Sequence, residues 1–319
     1  MKKILIKTLI VSVTVLVLPF VLTLVVKHNS SDAFLETMNY SIYYEVNGSK
    51  ETLSFDSYLM GVVAANMSAG YRMEALKAQA VIARTYALYN ISELAKKSPG
   101  KSRFSTSELG LSYLDMDALK NYWGAENYSG YYSKLENAVY ETKDKVILYH
   151  DALILPVFFD TGSGYTRNAS EAWGVNVPYL TSVSSKQDVT STNYLTIREY
   201  ELPDIITTLT KYYSDTTLTT DKFFEEVAVT ARDSAGYVTK MNLGSLTVSG
   251  EEFAKVLGLA SNHFYIEEYE NKARIICNGS GHGIGLSQYG ANAMAGEDRT
   301  YSDILTYYYT NTTLADLSK

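Results

Sequence analysis

The chain has a single cysteine, Cys277, in 319 residues. That excludes a disulfide framework and a cysteine-built zinc site. Histidine is nearly as scarce: His28, His150, His263 and His282 are scattered with no ligand-like spacing. No metal and no cofactor are expected. Positive charge is not in excess either. Lys and Arg number 28 against 35 Asp and Glu, a net charge of -7. A phosphate backbone finds no electrostatic partner on such a surface, which argues against nucleic-acid binding. Internal repeats and low-complexity tracts are absent.

What remains is ordinary globular composition, 46% hydrophobic and 20% charged, enough for one large domain or two small ones. Tyrosine stands out, with 28 residues against 10 Phe and 2 Trp. A tyrosine ring pairs a flat apolar face with a hydroxyl, which suits sugar or peptide surfaces.

The N-terminus differs from the rest. Lys2, Lys3 and Lys7 precede the uncharged run TLIVSVTVLVLPFVLTLVV, residues 8–26. A span needs roughly 20 apolar residues to cross the hydrocarbon core. A signal peptide's apolar region is usually about 7–15 residues and ends in a small-x-small cleavage site. No such site follows Val26. The run reads as a single-pass anchor, with residues 1–7 inside and residues 27–319 outside, as positive charge before a span directs. The expected location is the cell membrane, with the C-terminal domain extracytoplasmic. Residues 27–38 form a polar linker.

From residue 39 the chain reads as one α+β domain. YSIYYEVNGSK is a strand running into an Asn-Gly turn. Phe55 to Ala65 is apolar. From Tyr71 the apolar period becomes 3.6 and Ala-rich, predicting a long helix over 71–95, capped by Ser68 and ended by Ser-Pro-Gly at 98–100. Residues 101–135 read as loop with short helical pieces, and 135–144 as helix. Two strands over 145–161 flank a tight turn at His150-Asp151. Residues 186–224 read as an insertion with a helix at 204–213. From Glu225 the pattern is short strands between Gly turns, a helix at GEEFAKVLGL, a strand pair over FYIEEYENKARIICNG, and a glycine-rich loop entering a helix over 279–295.

That loop, GSGHGIGLSQYGA, is the strongest local chemical signal. Its glycines open backbone conformations closed to other residues. His282 and Gln288 then sit where a loop meets a helix N-terminus, a place that offers N–H groups and a histidine to a ligand. No βαβ unit surrounds it and no Gly-Lys-Ser/Thr follows it, so neither a dinucleotide fingerprint nor a phosphate loop fits. On the long helix, Lys77 and Arg84 share a face two turns apart, where they could hold an anionic group or simply face solvent. Gln79 points elsewhere. FFDTGSGYTRNASEAWG offers Asp160, Thr161, Ser163 and Glu171, without the elbow of a serine hydrolase.

Four segments together resemble the family of stage II sporulation protein D, which also contains amidase enhancers. They are residues 55–88, 156–183, 250–264 and 281–295. EALKAQAVIARTYA and GHGIGLSQYGA are the most specific of them. The resemblance implies a membrane-anchored lytic transglycosylase acting on peptidoglycan glycan strands that an amidase, of the stage II sporulation protein P type, has stripped of stem peptides. In such a reaction the muramic C6 hydroxyl replaces water and leaves a 1,6-anhydro end. One carboxyl group can serve as acid and then as base. The family's zinc-bearing members use cysteines that this chain lacks.

In the family that carboxyl belongs to a Glu in a VVAxEMP-like elbow. Here the elbow reads VVAANMS, with Asn66 at the Glu position. An amide has no proton to give at neutral pH. The remaining site residues implied by the resemblance are Lys77, Arg84, His282, Gln288 and Tyr289. Three readings follow. The chain binds glycan without cutting it; another acid, from Glu74, Asp160 or Glu171, substitutes; or the Asn is an engineered inactivation. The competing class is a tethered glycan-binding module that recruits or activates an amidase, and a third is a scaffold.

Overall fold

A computed structural model describes residues 40–46 and 48–317. The anchor expected over residues 8–26 lies outside the described residues, as do the cytoplasmic tail and linker. Among the described residues, no helix is long and apolar enough to cross a membrane.

The architecture is mixed α+β, in small sheets around a helical centre. The hairpin β1 (Ser41–Val46) and β2 (Ser49–Leu53) is joined in parallel by β3 (Arg103–Ser105). Helix α1 (Phe55–Asn66) begins at Ser54, whose hydroxyl accepts from Ser57 N at 3.1 Å. The chain then bends over residues 67–72 and enters α2 (Met73–Lys97). Helix α2 is buried on nearly all sides from Ala75 to Leu88, as a helix apolar all round must be. Its alanines let α1, α3, α8 and α9 approach closely. Ser68 does not cap it. The N-cap is Arg72, without a side-chain bond, and Ser68 Oγ accepts from Gly70 N inside the bend.

Helix α3 (Met116–Glu141) corrects the sequence reading of residues 101–135 as mostly loop. Asp115 caps it, accepting from Ala118 N at 2.8 Å. Gly124, at φ 73°, breaks it once. Leu119, Trp123, Leu135, Ala138 and Val139 face the core with Tyr128, Tyr131 and Tyr132 beside them. The buried stripe is sparse, and aromatic residues flank it. Next come the hairpin β4 (Lys145–Tyr149) and β5 (Ala152–Leu153), the short β6 (Phe158–Phe159) and the short helix α4 (Ala169–Trp173). The hairpin turns at His150 and Asp151, both left-handed, as expected.

A second core occupies residues 200–277. It contains β7 (Leu195–Glu201), α5 (Leu202–Tyr212), the turn-length α6 (Phe223–Glu226), β8 (Val227–Arg232), β9 (Val238–Leu243), β10 (Leu246–Val248), α7 (Gly250–Leu257), β11 (Phe264–Tyr269) and β12 (Lys272–Asn278). Segment 186–224 therefore holds more than a polar insertion. Strand β7 pairs antiparallel with all seven residues of β12, and Ile205 and Leu209 of α5 are buried in this core. The chain then returns to the first core through β13 (Leu286–Ser287), which pairs in parallel with β6, α8 (Gln288–Gly296), α9 (Tyr301–Tyr308) and β14 (Thr313–Asp316), which pairs with β4.

Arg167 ties the two cores together. Only 1% exposed, it donates from Nε to Asp233 Oδ2 at 2.6 Å and from Nη1 to Glu251 Oε1 at 2.8 Å and His282 O at 3.2 Å. Its guanidinium lies 4.9 Å from the Tyr237 ring centroid. Removing one partner of a buried ion pair strands the other charge, and Asp233 is 1% exposed in that pair. Arg167→Met is expected to cost about 3–5 kcal/mol of stability, read as a lowered urea midpoint.

Candidate functional site

The bend between α1 and α2 is built from side-chain donors and backbone acceptors. Asn66 closes α1 with its own amide. Its Nδ2 donates to Val62 O at 2.7 Å, one turn back, and to Ser112 O at 3.0 Å. The backbone carbonyl of Asn66 accepts from Gln288 Nε2 at 2.7 Å, 222 residues away in sequence. The same nitrogen donates to Gln79 Oε1 at 3.2 Å. Asn66 and Gln288 are therefore neighbours, and Gln79, fully buried on α2, sits beneath them. From the other side Lys134 of α3 donates to Ala69 O at 2.9 Å and to Tyr71 O. Burial pulls the Lys134 ammonium below the usual lysine range. Tyr71 is pushed up to about 12, by burial first and then by the charges of Asp160, Tyr289 and Asp188.

The glycine-rich loop is laced against residues 157–167. Thr161 N donates to Ser280 O at 3.0 Å and Ser280 N to Thr161 O at 2.7 Å, while Arg167 N donates to Gly283 O at 2.7 Å. Gly285 shows why no larger residue serves. It sits at φ 80°, and a Cβ there would lie 2.0 Å from Val157 O. The loop runs through Ser287, which caps α8 by accepting from Gly290 N, directly into Gln288 and Tyr289. Tyr289 N donates to Asp160 O at 2.9 Å, and its hydroxyl pairs with Thr190 Oγ1 at 3.1 Å.

His282 reaches solvent, but the loop crowds its ring against Phe159, 5.8 Å between centroids. Its Nδ1 accepts from Ile284 N at 3.1 Å, which leaves Nε2 to carry the proton of the neutral ring. Desolvation by the surrounding loop holds the imidazole below its ordinary value. The Arg167 charge adds to that, against opposing pulls from the Phe158 backbone and Glu251.

Asn66, Thr161, His282, Gln288 and Tyr289 thus fall on one connected framework, and the other expected site residues do not. Lys77 and Arg84 do share a face, but it is the face against the C-terminal end of α3. Lys77 pairs with Glu74 at 2.7 Å and Glu141 at 2.6 Å. Arg84, 2% exposed, donates to Thr142 O, Lys145 O and Val139 O, closing the end of α3. Ser163 turns to Ala235 O at 3.4 Å. Of the alternative acids, Glu74 also accepts from Tyr301 N, and Glu171 accepts from Ser234 N and Oγ. Asp160 stays at the site, its Oδ2 accepting from Asn193 Nδ2 at 3.0 Å.

Sequence reasoning missed Gln79, Tyr71, Lys134 and Asp188. A polar residue in an alanine-rich buried helix was the available signal for Gln79. Asp188 had none, because its role depends on contacts distant in sequence. It is fully buried in a single 3-10 turn over residues 186–190. Gly162 N donates to its Oδ2 at 2.7 Å and Ser287 Oγ to its Oδ1 at 2.8 Å. It thereby fixes the strand-side loop against the start of α8, where the helix dipole favours a negative charge.

Burial pushes Asp188 up from 3.8 to about 6, opposed by hydrogen bonds from Ser287, Ser185 and Gly162 and assisted by Asp160. A raised folded-state value means the group contributes most when protonated, and that contribution is lost as pH rises through the shifted value. Between about pH 4 and pH 7 the wild type should therefore lose on the order of 2–3 kcal/mol relative to Asp188→Asn. Urea denaturation of both proteins across that range measures it, and parallel pH profiles would refute the assignment.

Comparison with known proteins agrees with this geometry. The stage II sporulation protein family model matches residues 44–149, which carry α1, the bend, α2 and α3. Stage II sporulation protein D of Bacillus subtilis (strain 168) is 32% identical over 276 residues, covering 86% of this chain and 78% of that protein. Its counterpart in Bacillus amyloliquefaciens is 32% identical over 269 residues, covering 84% and 76%. An amidase enhancer of Bacillus subtilis (strain 168) is 29% identical over 303 residues, covering 80% of this chain and 40% of that protein. With this identity over most of both chains, the protein belongs to the stage II sporulation protein D family.

Proposed function

We propose that this protein is a membrane-anchored, extracytoplasmic module of sporulation that binds peptidoglycan glycan strands at the α1–α2 bend without cutting them. One observation carries the reading: the way Asn66 is held. Its NH2 group sits between two backbone carbonyls, Val62 O and Ser112 O. Carbonyl oxygens demand a donor, and the amide supplies two N–H bonds. This position is matched to an amide, and an amide cannot protonate a departing glycosidic oxygen.

The other carboxyl groups do not replace it. Asp188 is sealed under α8 with both oxygens accepting protein hydrogen bonds. Glu74 is engaged by Lys77 and Tyr301, and Glu171 by Ser234. Asp160 accepts from Asn193, which suits a group that orients a sugar hydroxyl. His282, at the solvent edge of the loop, borders this surface, and the Tyr71 and Tyr289 rings offer apolar faces to the sugar. The likeness to an amidase enhancer supports a partner of that kind: a cell-wall amidase working on the strands this module holds.

The same two carbonyls make the test sharp. A carboxyl placed between them is driven to its protonated form, because only the O–H can donate. Asn66→Glu should therefore gain a general acid. Peptide-free glycan strands are incubated with wild type and variant. Co-sedimentation reads binding, and mass spectrometry reads 1,6-anhydro-muramic ends. Binding by both proteins, with ends formed by Asn66→Glu alone, is the expected result. Abundant anhydro ends from the wild type would overturn the non-cutting reading, and failure of the wild type to sediment with strands would overturn the binding one.

A further inference from the structure

An amide side chain can be placed in two orientations that look alike, and its neighbours must decide which is real. At this site backbone carbonyls decide. A carbonyl oxygen only accepts. Val62 O and Ser112 O therefore require the nitrogen of Asn66, and Asn66 O requires the nitrogen of Gln288. With Gln288 Nε2 so placed, Gln79 must present its oxygen to it, as it does at 3.2 Å.

Both site amides thus spend their nitrogens inside the protein. Asn66 Oδ1 and Gln288 Oε1 accept nothing from it. They are not sealed in either. Among the described residues, the buried side-chain atoms without a partner belong to Tyr58, Gln79, Tyr213, Tyr237 and His263. The oxygens of Asn66 and Gln288 are not in that set, so both reach solvent, although Gln288 as a whole is only 5% exposed. Gln79 is the reverse case. It is fully buried, and its Nε2 has no partner. Only its oxygen is engaged, and that oxygen orients Gln288.

We infer that Asn66 and Gln288 form a donor-reading clamp, with Gln79 as the positioning residue behind it. The clamp recognises ligand O–H and N–H groups, which on a hexosamine strand are free hydroxyls and acetamido N–H. It gives no donor to the ligand. This rests on the glycan-binding reading above and adds what that reading leaves open: the polarity of the recognition and a residue that sets it from outside the contact surface.

The test uses the full-length protein, peptide-free glycan strands, and two soluble competitors. One is N-acetylated chitotetraose. The other is its permethylated derivative, which keeps the acceptors and removes the donors. The parent sugar should displace the protein from strands, and the permethylated one should need at least about tenfold more, the worth of roughly one net hydrogen bond. Gln79→Leu removes the oxygen that orients Gln288 and should weaken strand binding about tenfold. Gln79→Glu keeps an acceptor there and should restore most of the affinity, although both variants lower the urea midpoint. A merely structural residue would lose affinity in step with stability in both variants, and that result overturns the assignment of Gln79. Equal competition by both sugars overturns the clamp while glycan binding stands. No strand binding by the wild type removes the clamp and the glycan-binding reading together, and is told apart by that first measurement.

Discussion

The structure depends on closing the backbone carbonyls that are exposed where helices stop. Each helix end leaves carbonyls without intrahelical donors, and inside a packed protein they must find others. Here long polar side chains supply them. Gln288 closes Asn66 O, Asn66 itself closes Val62 O and Ser112 O, Lys134 closes Ala69 O and Tyr71 O, and Arg84 closes Val139 O and Thr142 O at the end of α3 and Lys145 O in β4. The bond from Gln288 has the widest consequence, because it joins the N-terminal helix pair to the glycine-rich loop from the far end of the chain. Arg72 N of the bend, donating to Asn292 Oδ1 of α8 at 2.8 Å, reinforces that junction.

Arg167 plays the matching part on the other flank. Its guanidinium takes Asp233 from the turn before β9, Glu251 from α7, and the carbonyl of His282. A charge that deep is tolerable only when it is paired and its donors are used. The second core therefore does more than pack its own sheets. It supplies the carboxylates that neutralise Arg167 and so hold the His282 loop in its shape. Asp188 does the same between residues 162 and 287 with a carboxyl that burial holds partly protonated near neutrality. The loop is pinned at both ends by buried ionisable groups from distant segments.

Much of the fold was legible in the sequence because it rests on local pattern. The Ala-rich period over 71–95 became α2, and the His150-Asp151 turn, the strand pair over 264–278 and the helix after the glycine loop lie where periodicity and turn chemistry put them. Helix α3 was missed because its few buried residues are spread among polar residues and tyrosines, with Gly124 interrupting it. Lys77 and Arg84 were rightly placed on one face, but a single sequence does not say what that face meets. In the structure it meets Glu141 and the end of α3. Gln79 does point away from the Lys77–Arg84 face, as the helical spacing implies, but only the structure shows that it meets Gln288 there. Lys134 acts through carbonyls more than 60 residues away, and Asp188 joins residues 162 and 287 across 26 and 99 positions; nothing in the spacing records such contacts.

Binding and cutting a glycan ask opposite things of one position. A general acid must own a proton and be able to lose it, which needs surroundings poised between its two states. A binding residue needs one fixed polarity. The carbonyls of Val62 and Ser112 present to position 66 a surface that only a donor satisfies. A protonated carboxyl or an amide fits it, and an ionised carboxylate does not. For a carboxyl, that surroundings-driven protonation is what an acid requires. For an amide, the same carbonyls lock the nitrogen inward and turn the oxygen out, and the position becomes a permanent acceptor. The asparagine at this bend therefore sits in an intact frame. It leaves the frame that holds Gln288, His282 and Tyr289 in place and fixes the polarity of its centre.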